Sequence, residues 1–217
     1  MLRNPVIDQI CQFIKTEILY GRLAEHERIS ERTIAEKFSV SRTLVREAVI
    51  LLKQEGFLYS KTKSGTYVSE PCAETILENY QARLALEGDV LLMAFPNITE
   101  EDIAVMKANC AAMRSAEHAA DYSKAEHCQH QLICQRTQNR FVIEFIDSMM
   151  ENMLRIGVKA GQSLSRREEC VAEWQRIISY IEAKDPLAAR SAFIRHIQNS
   201  LIAYETYYRK LTVDPEV

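Results

Sequence analysis

Residues Ser30 to Val68 read SERTIAEKFSVSRTLVREAVILLKQEGFLYSKTKSGTYV, two short helix-forming runs around a tight turn, then a glycine-tipped hairpin. Ser30 stands before the apolar-periodic run Ile34, Ala35, Phe38, where its hydroxyl can cap the first turn. Ser39-Val40-Ser41 makes the turn. Ser41 caps a second helix that runs to Gly56, a natural stop because glycine tolerates the left-handed conformation. Val45, Ala48, Val49 and Leu52 fall at i, i+3, i+4 and i+7 and face inward. Arg42, Thr43 and Arg46 are left on the outer face at the N-terminal end. This order describes a winged helix-turn-helix, whose second helix presents such side chains to base edges and phosphates in the major groove. The plainer alternative is a helical hairpin with solvated arginines.

Working outward, residues 5–21 form an amphipathic helix with Ile7, Ile10, Phe13, Ile14 and Ile18 on one stripe. Ser69-Glu70-Pro71 is a short breaker, placing a domain boundary between residues 1–70 and 71–217. The remainder is helical in pattern, near 73–94, 100–117, 120–136, 140–163, 167–184 and 186–209. Its breaks are Pro96-Asn97, His118-Ala119, Asn139, Gly161-Gln162 and Asp185-Pro186. Short loops force sequence neighbours to pack antiparallel, so a mainly α chain is expected: a winged helix-turn-helix plus an antiparallel all-helical bundle.

The net charge of −3 hides an asymmetry. Residues 1–70 carry 11 Lys and Arg against 9 Asp and Glu, whereas residues 71–217 carry 16 against 21. The positive side chains of the first part concentrate on the second helix and wing, at Arg42, Arg46, Lys53, Lys61 and Lys63. Local placement, not the total, decides phosphate binding. No run approaches the roughly 18 apolar residues of a membrane span, and the N-terminus has no signal-peptide pattern. The six cysteines form neither CxxC pairs nor a dense scaffold, and read as reduced thiols of a cytoplasmic protein.

In the helical part, Glu126 and His130 are spaced i, i+4 on the stripe of Tyr122 and Ile133, so both project inward. His196 lies on the stripe of Ala189 and Phe193, and Trp174 on that of Val171, Ile177, Ile178 and Ile181. A carboxylate and two imidazoles from two helices can supply three ligands for zinc, nickel or a similar ion. Hydrogen-bonded core histidines and a local Glu126–His130 ion pair are the alternative.

SERTIAEKFSVSRTLVREAV resembles the N-terminal domain of the GntR family of bacterial transcription regulators, and the resemblance continues through Gly56-Phe57-Leu58 into Gly65-Thr66-Tyr67-Val68. It implies DNA contacts from Arg32, Ser41, Arg42, Thr43, Arg46 and Gly65. Two departures stand out: the usual Pro-Gly before the first motif helix is Glu25-His26, and a usual Pro is Leu44. A slightly different loop is expected there. The second domain resembles the FCD ligand-binding domain of the FadR subfamily. The matching residues are Arg83 and Glu87, then Glu126, His130 and Asn139, then Glu173, Trp174, Asp185, Ala189 and His196. Metal-containing members use an Asp or Glu and three His; here the resemblance implies Glu126, His130 and His196, with Trp174 replacing the fourth ligand. Either water or effector then completes a three-ligand site, or the site has lost its metal and these residues bind the effector directly. An indole N–H can donate but cannot coordinate. His127, one residue out of phase, is expected to point away.

The resemblance further implies a small carboxylate effector anchored by Arg83, with Trp174 as an aromatic wall, although Arg83 could instead pair with Glu87. The function expected is a ligand-responsive regulator, not an enzyme, binding a palindromic DNA operator as a homodimer. A helical metalloenzyme built on Glu126, His130 and His196 with an accessory DNA-binding domain is the alternative. A constitutive architectural DNA-binding protein is a third.

Overall fold

In the computed structural model, residues 4–62, 64–160 and 163–213 are described, so Lys63 and the Gly161-Gln162 break lie outside them. The chain forms two compact units, Met1–Cys72 and Ala73–Val217.

The first unit holds α1 (Pro5–Leu19), β1 (Arg28–Ile29), α2 (Glu31–Phe38), α3 (Arg42–Gln54), β2 (Leu58–Lys61) and β3 (Gly65–Val68). Ser30 and Ser41 cap α2 and α3 by accepting from the Thr33 and Leu44 amides. Ser39 takes the left-handed conformation that turns the chain between them. The α1 stripe (Ile7, Ile10, Ile14, Ile18) packs on Val45, Ala48, Val49 and Leu52 of α3 in one core. Fully burying an isoleucine or leucine of this kind contributes about 1.5–3 kcal/mol. The strands form an antiparallel sheet in the order β1-β3-β2, with Leu58 opposite Val68 and Lys61 opposite Gly65. Helix α1 ends two residues short of the expected 21, at the Tyr20–Gly21 turn, where Gly21 has a φ of +70°. His26 adopts a φ of +65°, so the departure from Pro-Gly still leaves a left-handed residue in this loop.

The second unit is all helical: α4 (Ala73–Ala94), α5 (Glu100–Ser115), α6 (Ala119–Arg136), α7 (Arg140–Ala160), α8 (Leu164–Glu182) and α9 (Pro186–Val213), with a short 3₁₀ turn at Phe95–Asn97. Helix α8 packs on α9 and α5, α4 on α9, and α6 on α5 and α7. Trp174, Phe193, Leu91, Met106, Met113 and Ile177 fill the centre. Two residues of the family motif turn out to be caps. Asn139 Oδ1 accepts from the Phe141 and Val142 amides and starts α7, and Asp185 Oδ1 accepts from the Ala188 amide and starts α9. Helix α8 begins three residues earlier than expected because Ser163 caps it, which places Arg166 in its first turn.

Thr99 and Asp102 form a capping box on α5, and Arg136 of α6 grips the Asp102 carboxylate at 2.7 and 2.6 Å. The Arg136 hydrogen bonds hold the Asp102 carboxyl below its usual range. A depressed carboxyl contributes stability above the unfolded value, about pH 4, and loses it as pH falls through the folded value. Acid unfolding of wild type should therefore steepen below about pH 4 relative to Asp102→Asn. Parallel curves would remove this pair from the acid response.

Candidate functional site

On the first unit, Ser41, Arg42, Thr43 and Arg46 are exposed, as is Arg32 on α2. Arg46 Nε lies 3.1 Å from Glu31 Oε2, and Arg32 pairs with Glu36 at 3.6 Å. Such exposed pairs are worth at most about 1 kcal/mol, so phosphates can displace them. The Arg46–Glu31 contact ties the start of α2 to the outer face of α3. Gly65 opens β3 with a φ of +127°, and a Cβ there would sit 2.8 Å from Arg28 Nε. The Arg28 side chain can move aside, so it is the positive φ that calls for glycine. Arg28, exposed beside Gly65, was not singled out by sequence; its signal was a basic residue on the strand next to the wing. A hollow lined by Arg28, Ser30, Glu31 and Gly65 joins the wing base to the start of α2. Glu31 thus links Arg46 of α3 to the hollow that Gly65 and Arg28 border.

In the second unit, the inward polar residues form one buried network. Arg83 and Glu87 pair across one turn of α4. The His130 Nδ1 lies 2.7 Å from Glu87 Oε2, and the Arg83 guanidinium is 3.3 Å from His130 Nε2. Burial works against the Glu87 charge, but Arg83 and His130 hold its carboxyl down to about 2. Glu126 Oε1 sits between the two imidazoles, 3.4 Å from His130 Nε2 and 3.3 Å from His196 Nε2. Burial opposes its charge as well, yet both rings keep it well below the ordinary range. On the far side, Glu173 accepts from Arg166 at 2.8 and 2.9 Å, from His196 Nδ1 at 2.7 Å and from Asn199 at 2.7 Å.

A cavity of about 30 Å³ opens beside this network, lined by Tyr80, Arg83, Tyr122, Glu126, Arg166 and Ser200, with Met150, Met153 and Gly157 from α7. It has room for one or two waters. Arg83 pairs with Glu87, as one of its two readings has it, and also lines the cavity. Two expectations are corrected. Trp174 forms no wall: it is fully buried behind the histidines, its ring 5.1 Å from His130 and 5.0 Å from His196, and it does not line the cavity. His127 does not point away. It is buried and lines the cavity, because the cavity extends from Glu126 toward α7, onto which α6 packs.

The structure brings Glu126, His130 and His196 together through the Glu126 carboxylate. Among the described residues, however, the set whose donor atoms all lie within 4.8 Å of one another is Glu126, Cys170 and His196. Arg166 and Cys170 were not singled out by sequence. They share the stripe of Trp174 at i, i+4, i+8, a signal that becomes visible once α8 is known to start before residue 166. A carboxylate, an imidazole and a thiol at this range are a donor set fitting a zinc-type ion.

These two units, a winged helix-turn-helix with a basic outer turn and a helical bundle around a buried polar network, have the architecture of a winged-helix transcription regulator with a second, helical domain. Residues 6–68 match the gntR family of bacterial regulatory proteins and residues 78–199 match the FCD domain. The chain belongs to the GntR family, as a transcription regulator of its FCD-containing branch. It is 25% identical over 198 residues to the HTH-type transcriptional repressor RspR of Escherichia coli K12, covering 90% of this chain and 87% of that protein. It is 28% identical over 216 residues to the Uxu operon regulator of Haemophilus influenzae, covering 90% and 80%. Among solved structures, a GntR regulator from Rhodococcus sp. RHA1 has the same fold at a TM-score of 0.78 and 17% identity, over 94% of this chain and 98% of that one. Escherichia coli McbR/YncC aligns at 0.76 and 20% identity, over 95% and 100%. The curated relatives are regulators, not enzymes, and among the described residues no helix is long and apolar enough to cross a membrane.

Proposed function

We propose that this chain is a cytoplasmic, ligand-responsive repressor that binds a palindromic operator as a homodimer. The carrying observation is the exposed N-terminal turn of α3, with Arg42, Thr43 and Arg46 outward and Ser41 capping it. Arg42 and Arg46 read base edges or phosphates, Arg32 and Thr43 contact the backbone beside them, and Gly65 lets the wing approach the duplex, with Arg28 as an added phosphate contact. Two-fold symmetry sets two half-sites about one helical turn apart. Phe141 and Phe145, one turn apart and exposed on α7, offer an apolar patch of the kind a second copy covers.

In the helical unit the effector is a small organic anion. Arg83 and Arg166, both buried at the cavity, are its anchors, since a guanidinium grips a carboxylate bidentately. A divalent ion such as zinc or nickel, held by Glu126 and His196 and adjoining His130, would add a Lewis-acidic anchor for the same carboxylate. Pockets for organic ligands run to about 300–1,000 Å³, whereas the cavity holds about 30 Å³. Entry of an effector must therefore displace side chains that line the cavity. That displacement gives the ligand different affinities for the closed and opened bundle, the condition for any population shift.

A thermal-shift screen of small organic acids on the full chain, with and without zinc, tests this reading. An effector at about 100 times its Kd should add about 2.7 kcal/mol, and the same compound should change operator affinity. Stabilisation without any change in DNA binding would leave the bundle a ligand site unconnected to regulation.

A further inference from the structure

We propose that Cys170 supplies a thiolate ligand to a zinc-type cation in the helical unit, completing a set with Glu126 and His196. This rests on the reading of the bundle cavity as a metal-assisted effector site, and it deepens that reading by naming the donors.

Four observations converge on it. The donor atoms of Glu126, Cys170 and His196 lie mutually within 4.8 Å. Tetrahedral bonds of about 2.0–2.3 Å need donors somewhat closer, a gap that small rotamer shifts close. His196 is fully buried; its Nδ1 is held by Glu173 at 2.7 Å, while its Nε2 makes no hydrogen bond of good geometry among the described residues. An imidazole oriented through one nitrogen by a carboxylate, with the other facing the Glu126 carboxylate and the Cys170 sulfur, is the arrangement of a metal-ligating histidine. Among the described residues, Glu87 and Glu173 each pair with a guanidinium, whereas Glu126 pairs with the two imidazoles. A cation at that carboxylate takes the place of the ring protons that offset its charge.

The fourth observation concerns the residues that would otherwise serve. Trp174 cannot coordinate. His130 is engaged on both nitrogens, by Glu87 at 2.7 Å and by the Arg83 guanidinium at 3.3 Å, whose fixed charge repels an ion at that edge. Cys170 lies one turn before Trp174 on the same face of α8, fully buried, with the Tyr122 hydroxyl and the His196 ring at its sulfur. The sulfur therefore stands in for the missing nitrogen. The ion replaces the thiol proton and the proton on His196 Nε2, both of which leave to solvent, and no electrons are transferred. A water or an effector carboxylate fills the fourth position from the adjoining cavity. Sulfur in the set favours zinc and cobalt over magnesium, calcium or manganese.

Titration of the full-length protein with Co(II), followed by near-ultraviolet absorbance, tests the assignment. Wild type should develop a thiolate-to-cobalt charge-transfer band with one ion bound. Cys170→Ser and Cys170→Ala should lose the band and bind more weakly, by at least the roughly 10–100-fold that loss of an outer-shell partner costs. Cobalt bound without the band, or a band that survives in both variants, overturns Cys170 as a ligand and leaves the effector-site reading standing. No cobalt bound at all removes both. Should the variants fail to fold, X-ray absorption of zinc-loaded wild type decides: a shell at about 2.3 Å reports sulfur, and only distances of about 2.0–2.2 Å exclude it.

Discussion

Glu173→Ala is expected to cost the helical unit about 3–5 kcal/mol, because it removes the bidentate partner of a buried guanidinium and leaves it the exposed Glu169 carboxylate at 3.4 Å. Glu173 is the common acceptor for Arg166, His196 and Asn199, and the Arg166 side chain is only 10% exposed. Removing the carboxylate leaves that cation without its bidentate partner and frees the His196 ring to rotate. The mechanism has an internal control. Arg166→Met combined with Glu173→Leu should recover part of the loss, since an apolar pair of similar size no longer carries an uncompensated charge. Denaturant unfolding of the three proteins checks both statements. A loss below about 1 kcal/mol for Glu173→Ala would mean that water reaches Arg166 and that the network is not a sealed one.

Arg42→Ala and Arg46→Ala are each expected to weaken specific operator binding by about 1–3 kcal/mol, roughly 5–150-fold. Both side chains are exposed and neither packs in the core, so folding should change by no more than about 0.5 kcal/mol. The two should differ in kind. A residue that reads a base edge loses discrimination at one position, whereas a phosphate contact weakens all sequences alike and lowers the salt slope by about one. Titrations at several salt concentrations on operator and scrambled DNA separate them. Unchanged affinity in both variants would remove α3 as the reading element.

The parts of this molecule that were legible in its sequence are those decided within one or two helical turns. Ser30 and Ser41 cap because a hydroxyl at the helix entrance meets orphan amides three residues on, whatever the rest of the chain does. The apolar stripes of α1 and α3 likewise fix which side chains enter the first core. The buried network was only half legible. Glu126, His130 and His196 were readable as inward-facing from their stripes, but which of them meet depends on how α4, α6, α8 and α9 are juxtaposed. That packing assigned Arg83 and Glu87 to His130, put Trp174 behind the rings and brought Cys170 to His196. His127 was misjudged for the same reason: helical phase was read relative to one neighbour, and α6 has a second in α7. Arg166 escaped because Ser163 starts α8 earlier than the apolar pattern alone suggests.

Selection of bound duplexes from a random-sequence DNA pool by the full-length protein is the most direct test of the central claim, that the outer turn of α3 reads DNA in a symmetric pair. Enriched duplexes should carry an inverted repeat with half-site centres about 10 base pairs apart, and the double variant Arg42→Ala with Arg46→Ala should fail to enrich it. Enrichment of a lone half-site, of no sequence, or of the same palindrome by the double variant would contradict it.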